Sequence, residues 1–155
     1  MAFRLSSPAF DDGSVIPERH TCMGEDISPP LAWQDPPPAT KSFALICRDP
    51  DAPRGTFHHW GICNIPAGQH QLPEAVASNA EDATALPHAI NDFGRSGFAG
   101  PCPPKGHGVH HYHFRLMALD VERLDLASGA SCSDLVEAAE PHLIASAELV
   151  GLFQR

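Results

Sequence analysis

The chain has 155 residues and a formal charge of −9, with 19 Asp plus Glu against 10 Lys plus Arg. A domain of this size buries roughly two thirds of its unfolded surface and needs no metal or disulfide staple to fold, so a single domain spanning 1–155 is expected. The acidic balance argues against a broad basic field for nucleic acid or anionic membrane, but it permits a local anion pocket built from backbone N–H groups and histidines. The N-terminus, MAFRLSSPAFDDG, has no apolar core of signal-peptide length, and no run of about 18 apolar residues occurs. No integral membrane association is expected, and a cytoplasmic location is the default. Cys22, Cys47, Cys63, Cys102 and Cys132 are odd in number and widely spaced. They outline neither a zinc cluster nor a disulfide framework, so all five are expected as free thiols in a reducing compartment.

In chain order, Phe3–Leu5 reads as a short strand. Ser28-Pro29-Pro30-Leu31-Ala32-Trp33 reads as an extended edge segment before a turn at Asp35–Pro38. Lys41–Arg48, Phe57–Ile65 and His110–Leu119 carry the β-branched, aromatic and apolar content of strands. Between them, 66–93 is a long, Pro-punctuated loop region of the kind that serves a site or an interface. A short helix is predicted near Asp134–Glu140, capped by Ser133 and stopped or kinked by Pro141, with a closing strand in the last part of the tail. With 16 Pro and 12 Gly punctuating apolar runs, the prediction is a mostly β domain with one short C-terminal helix and long loops. No Gly-rich strand-to-helix fingerprint for a dinucleotide is present, and no cofactor is expected.

Two stretches concentrate ionisable groups on rigid turns: Asp49-Pro50-Asp51-Ala52-Pro53, and Gly100-Pro101 through Lys105-Gly106-His107-Gly108-Val109-His110-His111-Tyr112. Period-two alternation puts His110, Tyr112, Phe114 and Leu116 on one strand face, polar at its start and apolar after it. His111, His113, Arg115 and Met117 fall on the other, solvated face. Alternation groups His59 with Gly61, Cys63 and Ile65, and His58 with Trp60 and Ile62, leaving the two histidines equivalent as candidates. Asp49 and Asp51 would point the same way if extended; a turn in which they bind their own backbone is the competing reading. An Asp–His pair fixes an imidazole tautomer and favours its protonation, and Gly106 and Gly108 offer backbone N–H groups to an anion. The pattern therefore predicts a preformed pocket for a polar, anionic ligand. There is no HExxH and no Gly-x-Ser-x-Gly elbow, so neither a metal site nor nucleophilic hydrolysis is expected.

These motifs, with His58-His59-Trp60 and the ending Ala147-Glu148-Leu149-Val150-Gly151, resemble the phosphatidylethanolamine-binding proteins, in particular their bacterial, Raf-kinase-inhibitor-like branch. The resemblance implies an antiparallel β-sandwich-like fold. It implies a ligand pocket of Asp49, Asp51, His59, His110 and Tyr112, with Gly106 and Gly108 in the adjoining loop and Pro53 at the rim, and so favours His59 over His58. It implies binding of phosphate or a phosphoryl headgroup such as phosphoethanolamine, with no catalytic residue and an unidentified protein partner. The alternatives are an enzyme using His59 or His110 as acid or base, and a kinase- or protease-inhibitor-like interaction module. Phe98 stands where the family often has Tyr, and Pro141-His142 where it has Gly-His. The eukaryotic branch's extra C-terminal helix lies beyond the core, and its partner surface is not expected here. A homodimer is expected from the resemblance and from Leu149, Leu152 and Phe153 in the tail.

Overall fold

The computed structural model describes residues 2–78 and 85–155. Among these residues seven strands and one α-helix are formed: β1 (Arg4–Ser6), β2 (Leu31–Gln34), β3 (Ser42–Asp49), β4 (Phe57–Pro66), β5 (Gln71–Leu72), β6 (His110–Leu119), α1 (Cys132–Ala139) and β7 (Leu143–Phe153). They make a four-stranded sheet in the order β4-β3-β6-β7 and a three-stranded sheet in the order β1-β2-β5, every pair antiparallel. The mostly β architecture expected from the sequence is the one observed.

Alternation along β3 explains the layering. Phe43, Leu45 and Cys47 face the smaller sheet and join Leu5, Leu31, Trp33, Leu72, Phe114 and Leu116 in the main core. Ala44 and Ile46 face the other way and pack with Met117, Leu135 and Ala139 under α1. A strand covered on both sides reads as a continuous apolar run, as β3 does. The same cover explains Met117, expected on the wet face of β6 but fully buried.

Other expectations are corrected by the packing. β2 is the middle of its sheet rather than an edge. The helix begins earlier: Ser131, not Ser133, caps it, with its Oγ accepting from the Asp134 N–H while Asp134 Oδ2 accepts from the Ser131 N–H. The helix passes into a 3-10 turn at Glu140–His142 containing Pro141, and β7 then takes the whole tail rather than its last part. Leu149 and Phe153 finish the chain's own core, and only Leu152 of the tail trio is half-buried. Within 66–93, β5 forms and Ile62 bridges His88. Asn79, Glu81 and Asp82 of that loop lie outside the described residues.

The largest correction concerns the thiols. Cys22 and Cys102, 80 positions apart, form a disulfide, while Cys47, Cys63 and Cys132 are free and buried. Spacing could not reveal a bond between two loops that only the tertiary fold brings together. Disulfides persist in oxidising compartments, so the thiols no longer argue for a reducing one. Among the described residues no helix is long and apolar enough to cross a membrane.

Candidate functional site

The inner face of the large sheet turns polar at one end. Asp49 continues the phase of Phe43, Leu45 and Cys47, and His110 and Tyr112 continue that of Phe114 and Leu116. His59 arrives there by an irregularity. Cys47 pairs with Trp60 and the next residue, Arg48, with His58, which leaves His59 as the extra residue of a β-bulge. The bulge breaks strict alternation. Trp60 and Ile62 therefore enter the main core, and His59, contrary to its grouping with Gly61 and Cys63, lies with its ring centroid 5.4 Å from that of Tyr112.

These groups line a cavity of about 190 Å³. Asp49, His59, His110 and Tyr112 supply its polar atoms; Ala52, Pro53, Phe57, Phe93, Cys102, Pro103 and Pro104 complete the wall. Cys102, Pro103 and Pro104 belong to a loop held from behind. The disulfide ties it to Cys22, the Cys22 N–H donates to Pro101 O at 3.1 Å, and the Gly100 N–H donates to Asp26 Oδ1 at 2.7 Å. Gly100 is required there, since a Cβ would meet His20 O at 2.3 Å. The same loop grips the bulge: His59 Nδ1–H donates to Ala99 O at 2.7 Å, and the Ala99 N–H donates to His59 O at 3.1 Å.

The polar atoms have defined states. A carbonyl only accepts, so His59 carries its proton on Nδ1, and its Nε2 has no protein partner among the described residues. Burial pushes the His59 pKa down, against smaller opposing effects of the Ala99 carbonyl and the Asp49 charge. Neutral His59 thus presents a lone pair, not the cationic donor expected from an Asp–His pair. That pair exists at His110, whose Nδ1–H donates to Asp49 Oδ2 at 2.6 Å. His110 Nε2 lies 2.7 Å from His107 Nδ1, a contact that holds one proton between two nitrogens. The Tyr112 hydroxyl is buried beside the Asp49 carboxylate without a hydrogen bond of good geometry, and burial, then the Asp49 charge, pushes its pKa up.

Of the residues expected at the site, Asp49, Pro53, His59, His110 and Tyr112 converge on the cavity; Asp51, Gly106 and Gly108 do not line it. Asp49 Oδ1 accepts the Asp51 N–H at 2.8 Å, the self-bonding turn that competed with the extended reading. The Asp51 carboxylate turns to the outer face, accepting from the His111 N–H at 2.8 Å and Nδ1 at 2.7 Å, and the His111 side-chain hydrogen bond lowers its pKa. The expected nest of loop N–H groups is partly spent on carbonyls: Gly106 N–H donates to Arg155 O and His107 N–H to Pro104 O. His111 and His113 pair with Asp51 and Glu148 on the outer face, as a solvated role requires. Phe98 packs edge-on against Trp60 rather than into the cavity wall. Phe57, Phe93 and His107 were not foreseen. Phe57 shares the phase of His59 and was legible in the strand; Phe93 comes from a distant loop and was not. Among the described residues no group of three or more His, Cys, Asp or Glu is arranged to hold a metal ion.

Two antiparallel sheets with a small cavity at the strand ends, mostly apolar in its accessible wall, define a β-sandwich-like domain. The family model described as phosphatidylethanolamine-binding protein matches residues 6–154, and the chain belongs to that family. It is 50% identical over 155 residues to the "UPF0098 protein" of Methanothermobacter thermautotrophicus, with 97% of this chain and 98% of that one covered. Among solved structures it resembles Escherichia coli YbcL, described as a new member of the mammalian PEBP family, at a TM-score of 0.91 and 35% identity, covering 100% of this chain and 99% of that one. It also resembles CT736 of Chlamydia trachomatis, a phosphatidylethanolamine-binding protein homologue, at a TM-score of 0.88 and 36% identity, covering 99% and 98%.

Proposed function

We propose that the chain binds a small anionic ligand, phosphate or a phosphoryl headgroup such as phosphoethanolamine, in the Asp49–His59–His110–Tyr112 pocket. The observation that carries this reading is the convergence of Asp49, His59, His110 and Tyr112 on one preformed cavity. The cavity of about 190 Å³ holds on the order of six waters at about 30 Å³ each, the size of a phosphoryl group with a short substituent. Phe57 and Phe93, ring centroids 4.6 Å apart, offer that substituent an apolar rim.

Calorimetric titration with phosphoethanolamine is expected to show saturable 1:1 binding that is lost in a His59→Ala/His110→Ala double variant. Absence of binding, or binding unchanged in the double variant, refutes the reading. An acid–base enzyme is the second reading, favoured by the Asp49–His110–His107 chain of contacts. It predicts steady turnover of a phosphoester by the purified protein, abolished in His110→Ala. We place the chain in the Raf-kinase-inhibitor-like branch on its motifs. We also propose a homodimer, with Val15, Val109 and Leu152 as its apolar contribution; the first two are 65% and 44% exposed. Light scattering behind size exclusion is expected to give twice 16.6 kDa; the single-chain mass at every concentration sinks it.

A further inference from the structure

We propose that His107 is a proton-operated lid at the strand-end pocket: it closes on His110 while the two imidazoles share one proton, and swings off when a second proton arrives. The lid acts in the protein alone, whatever ligand the cavity takes.

His110 is buried, and both of its ring nitrogens are engaged. Its Nδ1–H donates to Asp49 Oδ2 at 2.6 Å, and its Nε2 lies 2.7 Å from His107 Nδ1, with the ring centroids 4.9 Å apart. A nitrogen–nitrogen contact of that length is a hydrogen bond, which takes one N–H and one lone pair. Two arrangements supply them. With His110 cationic, the form a carboxylate partner stabilises, its Nε2–H donates and His107 Nδ1 accepts. With His110 neutral, His107 Nδ1–H donates and His110 Nε2 accepts. In both, a single proton fills the contact. A second proton sets N–H against N–H and places two imidazolium rings side by side, so the hydrogen bond is lost and like charges repel. His110 cannot be the one to leave, because Asp49 holds it and β6 pairs it with Phe153.

The loop lets His107 move without disturbing the core. His107 is exposed, and the glycines on either side, Gly106 and Gly108, lie at φ +76° and +97°, with nothing within 4 Å of where either Cβ would stand. The base of the loop is anchored: Gly106 N–H donates to Arg155 O at 3.0 Å, Arg155 Nε–H to Pro103 O at 2.7 Å and His107 N–H to Pro104 O at 3.2 Å. Past His107 the anchoring stops. Among the described residues the N–H groups of Gly108 and Val109 make no hydrogen bond, and His110 is the one side-chain partner of His107. Once that contact breaks, the ring swings into solvent about Gly108 and bares His110 Nε2. The charged and titratable groups around the pair are Asp49 at the other nitrogen of His110, Tyr112 stacked 6.4 Å from it on β6, and His59 beyond Tyr112. Asp51, paired with His111, lies in the turn after β3, and Lys105 and Arg155 lie on the loop side.

Opening takes up a proton, so falling pH favours the open lid, by up to about tenfold in the open-to-closed ratio per pH unit. A solvated imidazole titrates near about pH 6.5, so measurements from pH 8 to pH 5 bracket the change. Nitrogen-15 NMR of the full chain without ligand reads both halves of the device. The imidazole nitrogen shifts of His107 and His110 count the protons, and the backbone order parameters of Gly108 and Val109 report the lid. At pH 8 the order parameters should be about 0.85, as in rigid backbone, and at pH 5 below about 0.6, the fall tracking uptake of the second proton by the pair. Two variants locate the cause. His107→Gln keeps a polar side chain that does not titrate, and its order parameters should be the same at both pH values. His111→Gln removes the neighbouring imidazole on the outer face and should keep the wild-type response. Equal order parameters at pH 8 and pH 5 in the wild type, whether rigid or mobile, overturn the lid. A wild-type response in His107→Gln, or its loss in His111→Gln, overturns it as well. Ligand binding enters none of these readouts, so the anion-pocket reading stands or falls separately, by its own titration.

Discussion

Removing the Cys22–Cys102 disulfide tests how far the pocket wall depends on a distant staple. The two cysteines are 80 positions apart. In the chain-entropy account, cross-linking a loop of about that length withdraws about 4.5 kcal/mol of freedom from the unfolded chain. For 155 residues the unfolding entropy at the midpoint is about 0.33 kcal/mol/K, so the loss corresponds to a fall in Tm of about 14 °C. The backbone ties Cys22 N–H to Pro101 O and Gly100 N–H to Asp26 remain in the folded variant. Native geometry near the cut is thus kept, and the effect resides mainly in the unfolded state. A Cys22→Ala/Cys102→Ala protein should melt 7–14 °C lower, roughly half to all of that figure, by calorimetry or circular dichroism. Wild-type protein in strong reductant should follow it. Because Cys102, Pro103 and Pro104 keep their place in the cavity wall, phosphoethanolamine affinity well below the melting range should stay within about threefold of wild type. A shift below about 3 °C would refute the argument, since it would mean that the long loop carries no entropic constraint in the unfolded chain.

Three further outcomes follow from the site. Tyr112→Phe deletes a buried hydroxyl that makes no hydrogen bond of good geometry; urea unfolding should show stability unchanged or raised by up to about 1 kcal/mol. His107→Ala removes the loop side chain that occupies His110 Nε2, so phosphoethanolamine should bind about 2–10-fold tighter, the worth of one net hydrogen bond, at unchanged Tm. Burial lowers the pKa of both His59 and His88, so both stay neutral in the folded protein below the unfolded value of about 6.5. The unfolded chain then binds more protons, and stability is full above about pH 7 and declines as pH falls through 6.5. For Asp51, lowered by its hydrogen bond to His111, the contribution persists until pH falls below about 4. Urea midpoints measured from pH 8 to pH 3 check both, and a midpoint constant between pH 7 and 5 contradicts the histidine assignment.

The sequence by itself determined what local chemistry controls. Strand β6 matches the predicted His110–Leu119 at both ends, because ten residues of alternating character on a sheet leave one register that buries Tyr112, Phe114 and Leu116 together. Asp49, His110 and Tyr112 were legible for the same reason: each continues an apolar phase to its polar end. The tertiary structure decided what depends on segments meeting across the fold. Alternation placed His59 with Gly61 and Cys63, and only the bulge opposite Cys47 and Arg48 brings it beside Tyr112, since a bulge is a property of two paired strands and leaves no period in one of them. The direction of the Asp51 carboxylate was settled by His111, 60 residues away, and the tautomer of His59 by a carbonyl 40 residues away. The bond between Cys22 and Cys102 depends on two loops whose approach is fixed by Gly100 and Asp26. Spacing along a chain carries no information on distance between loops, because the entropy of closing a loop varies only slowly with its length.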